Sequence, residues 1–437
     1  MVAGLYSKTT LHSLLLAILV VVAGAAGCAS PPRNRIALMP APDVFDQGAW
    51  DPFTDQDPIE DIPYGGILYA TDRAPDREAG NSYRDERGHL LRLGVAEISA
   101  GRNSMTWEEA RRISLLKERP EDFPLEVTNI EEVEILDSSI NPFTRDLAGE
   151  GVDPPKDGRF AAMVDAKLAV SETKDVYIYV HGYKVVFENP LLVSSELWHF
   201  LGYEGVFIAF AWPSTPSTLA YFADLETAAL SAGNLRLLVQ YLAEHTQARR
   251  IHIIGYSAGT RLVAQALHQL ALLYIGPDGT GSGSSLRIGH VILTGSDIDQ
   301  EIFGSYLVDG ILDIVEDITV YASAKDQALG MSAWVFGRRR VGEVLEEGLP
   351  PAVADFLRRN ERLAVVDASD APGADTGNGH AYFRQSPFTS SDILATLRFN
   401  LKPEERGLEQ TSGLPIWTFP EDYVDRLRSA LVRAQTP

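Results

Sequence analysis

The chain has 437 residues, 45% of them hydrophobic and 9% aromatic, enough to bury a large core in one or more domains. Its 60 acidic residues outweigh 38 basic ones, and the formal net charge of −22 opposes close approach to phosphate backbones and anionic surfaces, which argues against nucleic-acid partners. The single cysteine, Cys28, excludes an intramolecular disulfide and any thiolate cluster for a metal.

At the amino end, Lys8 precedes an apolar run from Leu14 to Val22, then the small residues Ala23-Gly24-Ala25-Ala26-Gly27, then Cys28. This order resembles a bacterial lipoprotein signal, in which a peptidase cuts before a cysteine that then carries the lipid. Ala25 departs from that pattern, which more often has leucine there. The resemblance implies a signal peptide over residues 1–27, a lipidated Cys28 as membrane anchor, and a domain held outside the cytoplasm at the cell envelope. Several acyl chains on one residue would anchor it firmly. Two other readings compete: a cleaved signal with an incidental cysteine, and an uncleaved anchor of roughly 17 apolar residues, near the lower limit for spanning. Ala29 and Ser30 lack the aspartate linked to inner-membrane retention in such lipoproteins, which favours an outer membrane.

Residues 29–63 hold seven prolines and show no sustained helical or strand period, so residues 28–63 are expected to form a tether with little fixed structure. The domain proper is expected over 64–437. Ile67–Thr71 and Leu91–Ile98 read as strands at a sheet edge, separated by polar turn residues. The stretch 101–170 is mixed, with a helical piece near Trp107–Leu116 and a Gly/Pro/Asp-rich segment at 149–158. It is expected to wrap the core or to cover the site.

From residue 176 short apolar runs alternate with helical periods, as in a parallel sheet buried on both faces. The strands are Val176–Val180, Val206–Ala211, Ile251–Ile254, His290–Leu293, Ile318–Tyr321 and Leu363–Val366. Helical periods fill Leu219–Glu244, Ala258–Leu273 and Ser390–Leu401. The fold class is therefore α/β, a mostly parallel doubly wound sheet flanked by helices, with ligand sites at the carboxyl ends of the strands. Gly276–Ser285 leads into a strand and not a helix, so it reads as a surface loop rather than a phosphate cradle.

Gly255-Tyr256-Ser257-Ala258-Gly259 follows a strand at once and opens a helix, the setting in which a G-x-S-x-G turn presents a nucleophile. Small residues on both sides let strand and helix pack closely, and the Ala258 amide lies where an oxyanion would form. Serine needs a base, and only His268, His290 and His380 follow Ser257 among the nine histidines. His268 falls inside the helix and His290 opens a buried strand, so both read as packed or surface histidines. His380 lies in a glycine-rich loop beyond Leu363–Val366 and is the candidate base. Asp326, five residues past Tyr321, is the candidate orienting acid, with Asp297 and Asp299 as alternatives from the preceding strand. After Val176–Val180 comes His181-Gly182-Tyr183. Gly182 lets that loop bend, the Tyr183 amide is the second oxyanion donor, and His181 buttresses the loop. Trp212 either walls an acyl pocket or belongs to the core.

Residues from about Ile67 to Leu401 resemble an uncharacterised bacterial α/β-hydrolase family, described as esterase-like or of unknown function. The matching pieces are Tyr69-Ala70-Thr71-Asp72-Arg73-Ala74-Pro75, Val180-His181-Gly182-Tyr183, Ala211-Trp212-Pro213-Ser214, the Ser257 turn, Tyr321–Leu329 and Gly379-His380-Ala381-Tyr382. Tyr183 stands where that family usually has phenylalanine, a change to which a backbone donor is indifferent. The resemblance implies the α/β-hydrolase fold and a triad of Ser257, His380 and Asp326, but no substrate. The expected activity is hydrolysis of a small-molecule or lipid ester, without cofactor or metal. A thioesterase, a peptidase or a non-catalytic envelope scaffold on the same fold are the alternatives.

Overall fold

In the computed structural model, which describes residues 35–435 apart from 47–49, 77–81, 102–104, 146–157, 218–219, 276–282, 337, 344–350 and 412–414, the apolar runs pair into one 12-stranded sheet. The strands are β1 (Arg35–Ala37), β2 (Ile67–Asp76), β3 (Ser82–Ala100), β4 (Pro124–Ile135), β5 (Asp175–Val180), β6 (Val206–Phe210), β7 (Arg250–Tyr256), β8 (Ile288–Thr294), β9 (Val315–Ala322), β10 (Leu363–Asp367), β11 (Glu409–Gln410) and β12 (Ile416–Thr418). Their order is β1-β4-β3-β2-β6-β5-β7-β8-β9-β10-β12-β11. From β2 through β12 neighbouring strands run parallel, and the two ends are closed by antiparallel pairs.

Alternation along each central strand splits its side chains between two cores. Val176, Ile178 and Val180 share one core with residues of the helices Arg159–Val170, Tyr221–His245 and Gly259–Tyr274. Tyr177 and Tyr179 point into the other, with Glu188–Phe200, Pro387–Phe399 and Tyr423–Gln435. Covered on both faces, these strands need no polar side, which is why they read as continuous apolar runs. After β5 the chain moves outward to β6 and then returns to β7 on the other side of β5. The loops after β5 and β7 therefore part at the point where winding reverses, the place where doubly wound sheets hold ligands.

Two expectations change and a third is narrowed. Ile67–Thr71 and Leu91–Ile98 do not form the edge, because β4 and β1 lie outside them. β4 escapes a sequence reading since Glu126, Glu131, Glu132 and Glu134 interrupt its apolar pattern, yet beyond its three-residue pairing with β1 at Pro124–Glu126 one side of β4 is open, and charge is what an open strand edge carries to block further pairing. Within the expected tether, β1 pairs with β4, and Leu38, Met39, Ala41, Val44, Phe45 and Phe53 are buried. The prolines there break regular periods without keeping apolar side chains from the core. The stretch 101–170 contributes the helix Trp107–Ser114, closed at its start by a reciprocal Thr106–Glu109 capping box, then β4 and the core helix Arg159–Val170, so it wraps the sheet. Among the described residues no helix is long and apolar enough to cross a membrane. The signal over 1–27 and Cys28 lie outside the described residues.

Candidate active site

β7 ends at Tyr256 and the next helix starts at Gly259, leaving only Ser257 and Ala258 to turn the chain. Ser257 takes φ +53°, a left-handed conformation that costs a non-glycine residue energy and persists only where its surroundings impose it. Its amide donates to the Thr294 carbonyl at 3.0 Å, and its carbonyl accepts from both the amide (3.0 Å) and hydroxyl (2.6 Å) of Thr260. Close packing explains the glycines. A Cβ at Gly259 would lie 2.3 Å from the His181 carbonyl oxygen, and one at Gly182 would lie 2.8 Å from Ser257 Cβ. The loop after β5 thus leans directly on the serine, which is only 6% exposed.

Asp326 is buried just beyond β9. Its Oδ1 accepts the amides of Ala328 and Leu329, each at 3.1 Å, at the start of the helix Gln327–Phe336. Its Oδ2 is left for His380 Nδ1 at 2.7 Å, and His380 Nε2 lies 2.8 Å from Ser257 Oγ. With Nδ1–H donating to the carboxylate, Nε2 is the nitrogen that accepts from the serine hydroxyl. Burial pulls the His380 pKa down, but the charge and hydrogen bond of Asp326, helped by the charge of Asp297, outweigh it and raise the pKa above the ordinary 6.5. The three side chains, 69 and 54 residues apart along the chain, can pass a proton from hydroxyl to imidazole while the carboxylate steadies the resulting charge.

The other candidates fall elsewhere. Asp297 accepts from Tyr221 Oη, from Ser332 Oγ at 2.6 Å and from Arg261 Nε at 3.1 Å, so its oxygens are committed to other partners than His380. Asp299 caps the helix Gln300–Val308 through the amides of Glu301 and Ile302. His290 is buried and paired with Asp317 at 2.8 Å, and His268 pairs with Asp309 at 2.8 Å. His181 is stacked on Trp212 at 5.2 Å and 8°, and the Trp212 indole donates to the His181 carbonyl at 2.7 Å. Burial first, then Arg73, drive the His181 pKa well below its ordinary value. That ring supports the loop, and Trp212 is fully buried, a core residue and not a pocket wall. Tyr183 is half-buried, its ring edge-on to Tyr221 at 5.1 Å. Ala258 opens the helix, where backbone N–H groups point outward and the dipole favours negative charge.

Two contributors escape a sequence reading. Gly295 follows β8 at φ +54°, and a Cβ there would come within 3.0 Å of His380 Cε1. The Tyr256 ring lies 5.1 Å from the imidazole. The only signal for Gly295 is a glycine directly after a buried strand, which many turns share. Among the described residues no group of three or more His, Cys, Asp or Glu side chains could hold a metal.

A family profile described as alpha/beta hydrolase of unknown function (DUF900) matches residues 157–398, more than half of the chain. No curated protein and no solved structure matches it.

Proposed function

The chain belongs to this α/β-hydrolase family of unknown function, and from that premise we propose that it is a serine hydrolase that cleaves carboxylic esters through an acyl-enzyme. The observation that carries the proposal is the unbroken hydrogen-bonded path from Asp326 through His380 to a serine hydroxyl held at φ +53°. His380 takes the Ser257 proton on Nε2 as Oγ attacks the ester carbonyl carbon. The carbonyl oxygen then carries the negative charge toward the amides of Ala258 and Tyr183. Collapse breaks the ester C–O bond, and the leaving alcohol takes the proton from His380. Water, deprotonated by the same nitrogen, attacks the acyl-enzyme, releases the acid and restores Ser257.

The same three residues would serve a thioester or an amide, so hydrolysis of p-nitrophenyl esters tests the substrate class. Ser257→Ala should cost at least about 10³-fold in kcat/KM and abolish labelling by a fluorophosphonate. Undiminished hydrolysis in that variant would overturn the proposal, and a folded wild type that takes no label would favour a non-catalytic scaffold. We further assign Cys28 as a lipid-bearing anchor at the cell envelope, on its apolar and small-residue approach. Arg35 already pairs in β1, so the chain between them reaches at most about 25 Å and would hold the sheet edge close to the bilayer. Cys28→Ser should abolish incorporation of labelled fatty acid and leave the apolar segment before it uncleaved.

A further inference from the structure

His380 must present Nε2 to Ser257 while Nδ1 stays on Asp326, and two hydrogen bonds leave the ring free to tilt about the line joining them. Tyr382, two residues on, is fully buried. Its hydroxyl accepts from the Gly295 amide at 2.7 Å and donates to the Tyr321 carbonyl at 2.6 Å. One phenol therefore ties together the carboxyl ends of β8 and β9 and the segment that carries His380. Gly295 is the residue whose backbone lies against the imidazole: a Cβ built on it would sit 3.0 Å from Cε1, 3.2 Å from Nδ1 and 3.6 Å from Asp326 Oδ2. The ring also meets Tyr256, centroid to centroid at 5.1 Å. Burial foremost, then the charge of Asp326, keep the Tyr382 proton in place well above the ordinary tyrosine range, so the phenol remains a donor.

We infer that Tyr382 and Gly295 are positioning residues for the reaction: the phenol fixes the Gly295 backbone as a stop against which the His380 ring rests. The inference rests on the serine-hydrolase reading. Tyr382→Phe keeps the ring and removes the hydroxyl that holds Gly295. Gly295→Ala keeps the hydroxyl and places a methyl against the imidazole, at a φ that alanine disfavours. Misplacement of a catalytic group by under an ångström costs roughly 10- to 100-fold in rate, so both variants should lower kcat by that order with KM little changed. Fluorophosphonate labelling of Ser257 should slow by the same factor.

A readout independent of turnover is the low-field proton resonance of the His380–Asp326 hydrogen bond in the full folded chain, which should shift or broaden in both variants. A folded variant of either kind with kcat, labelling rate and that resonance all within about twofold of wild type overturns the inference. Failure of both variants to fold also overturns it, since the pair would then be a folding element. If wild-type protein takes no label, the serine-hydrolase reading fails instead, and the resonance still reports whether Tyr382 and Gly295 hold the ring.

Discussion

The central strands carry histidine–carboxylate pairs at both ends, and among the described residues only the carboxyl end joins such a pair to a hydroxyl. At the carboxyl ends His380 joins Asp326 to Ser257. At the amino ends His290 meets Asp317 at 2.8 Å and His252 lies 3.6 Å from Asp175. The two lower rings stack on each other at 5.0 Å, and the row continues through Tyr177 and Phe207. There, burial foremost drives the His252 pKa down to about 4, whereas the His380 pKa is raised. His252 Nδ1 accepts the backbone amide of His290 at 2.9 Å, and a Cβ on Gly289 would press within 2.7 Å of its Cε1. His290 Nε2 has no hydrogen-bond partner among the described residues, and His252 Nε2 faces the Asp175 carboxylate at 3.6 Å. A histidine beside an aspartate is thus a staple between strands unless the backbone delivers a nucleophile to the far nitrogen. At the upper end, the positive φ of Ser257 and the bare face of Gly182 do that.

The sharpest way to break this contrast is to disable one carboxylate at each end. Asp326→Asn should lower kcat/KM for a p-nitrophenyl ester by about 10³- to 10⁴-fold, because the imidazole loses its orienting acceptor and the support for its charge. Asp317→Asn should leave the rate within about twofold; equal losses would mean that the two ends are not chemically distinct. The pH profile sharpens the same point. His380 must be neutral to accept a proton, and its pKa is raised above 6.5, so kcat/KM should climb with pH through a midpoint above 6.5. In Asp326→Asn that midpoint should fall, since the charge that favoured imidazolium is gone.

A smaller effect, on stability, belongs to the lower end. His252 titrates near 4 in the native chain against 6.5 ordinarily, so between those values the unfolded chain binds a proton that the native one refuses. The contribution is complete above pH 6.5 and is lost as pH falls toward 4, a difference of roughly 3 kcal/mol. Urea midpoints at pH 7.5 and 4.5 measure it. His252→Phe should flatten part of that slope while lowering stability at pH 7.5 by about 1–3 kcal/mol, because the His290 amide loses its acceptor. An unchanged slope would show that His252 does not resist charging as its burial implies.

The two ends were also unequally legible. Ser257 could be read because strand, turn and helix succeed one another within a few residues, and His380 and Asp326 because chain order and strand ends restrict the choice. The outer antiparallel flank, β4 and β1, was harder. β4 hides behind four glutamates, and the packed arm from Arg35 hides behind prolines, since charge and broken periodicity look alike in edge strands, extended arms and tethers. Gly295, Tyr382 and the His252–His290 row depend on residues 38 to 87 positions apart meeting across strands, which no local period records. Asp392 illustrates the same limit. Buried in the helix Pro387–Phe399, it gathers Arg406, Tyr321 and Tyr423, a hub that exists only once the carboxyl-terminal helix has docked.

The smallest expected effect comes from a fourth pair that resembles the site in composition alone. His268 Nε2 meets Asp309 at 2.8 Å while its ring stacks on Tyr306 at 4.2 Å. The pair lies toward the surface, with side chains 20% and 44% exposed, so water and salt already screen most of what the charges could gain. His268→Gln should therefore change stability by no more than about 1 kcal/mol in the urea midpoint, and should leave the rate and its pH midpoint untouched. A loss of several-fold in kcat/KM would place the helix Gly259–Tyr274, which carries His268 and begins two residues after Ser257, under a coupling that burial and hydrogen bonding alone do not reveal. An unchanged rate would leave access, nucleophile and glycine-lined backbone as the features that separate His380 from the other paired histidines.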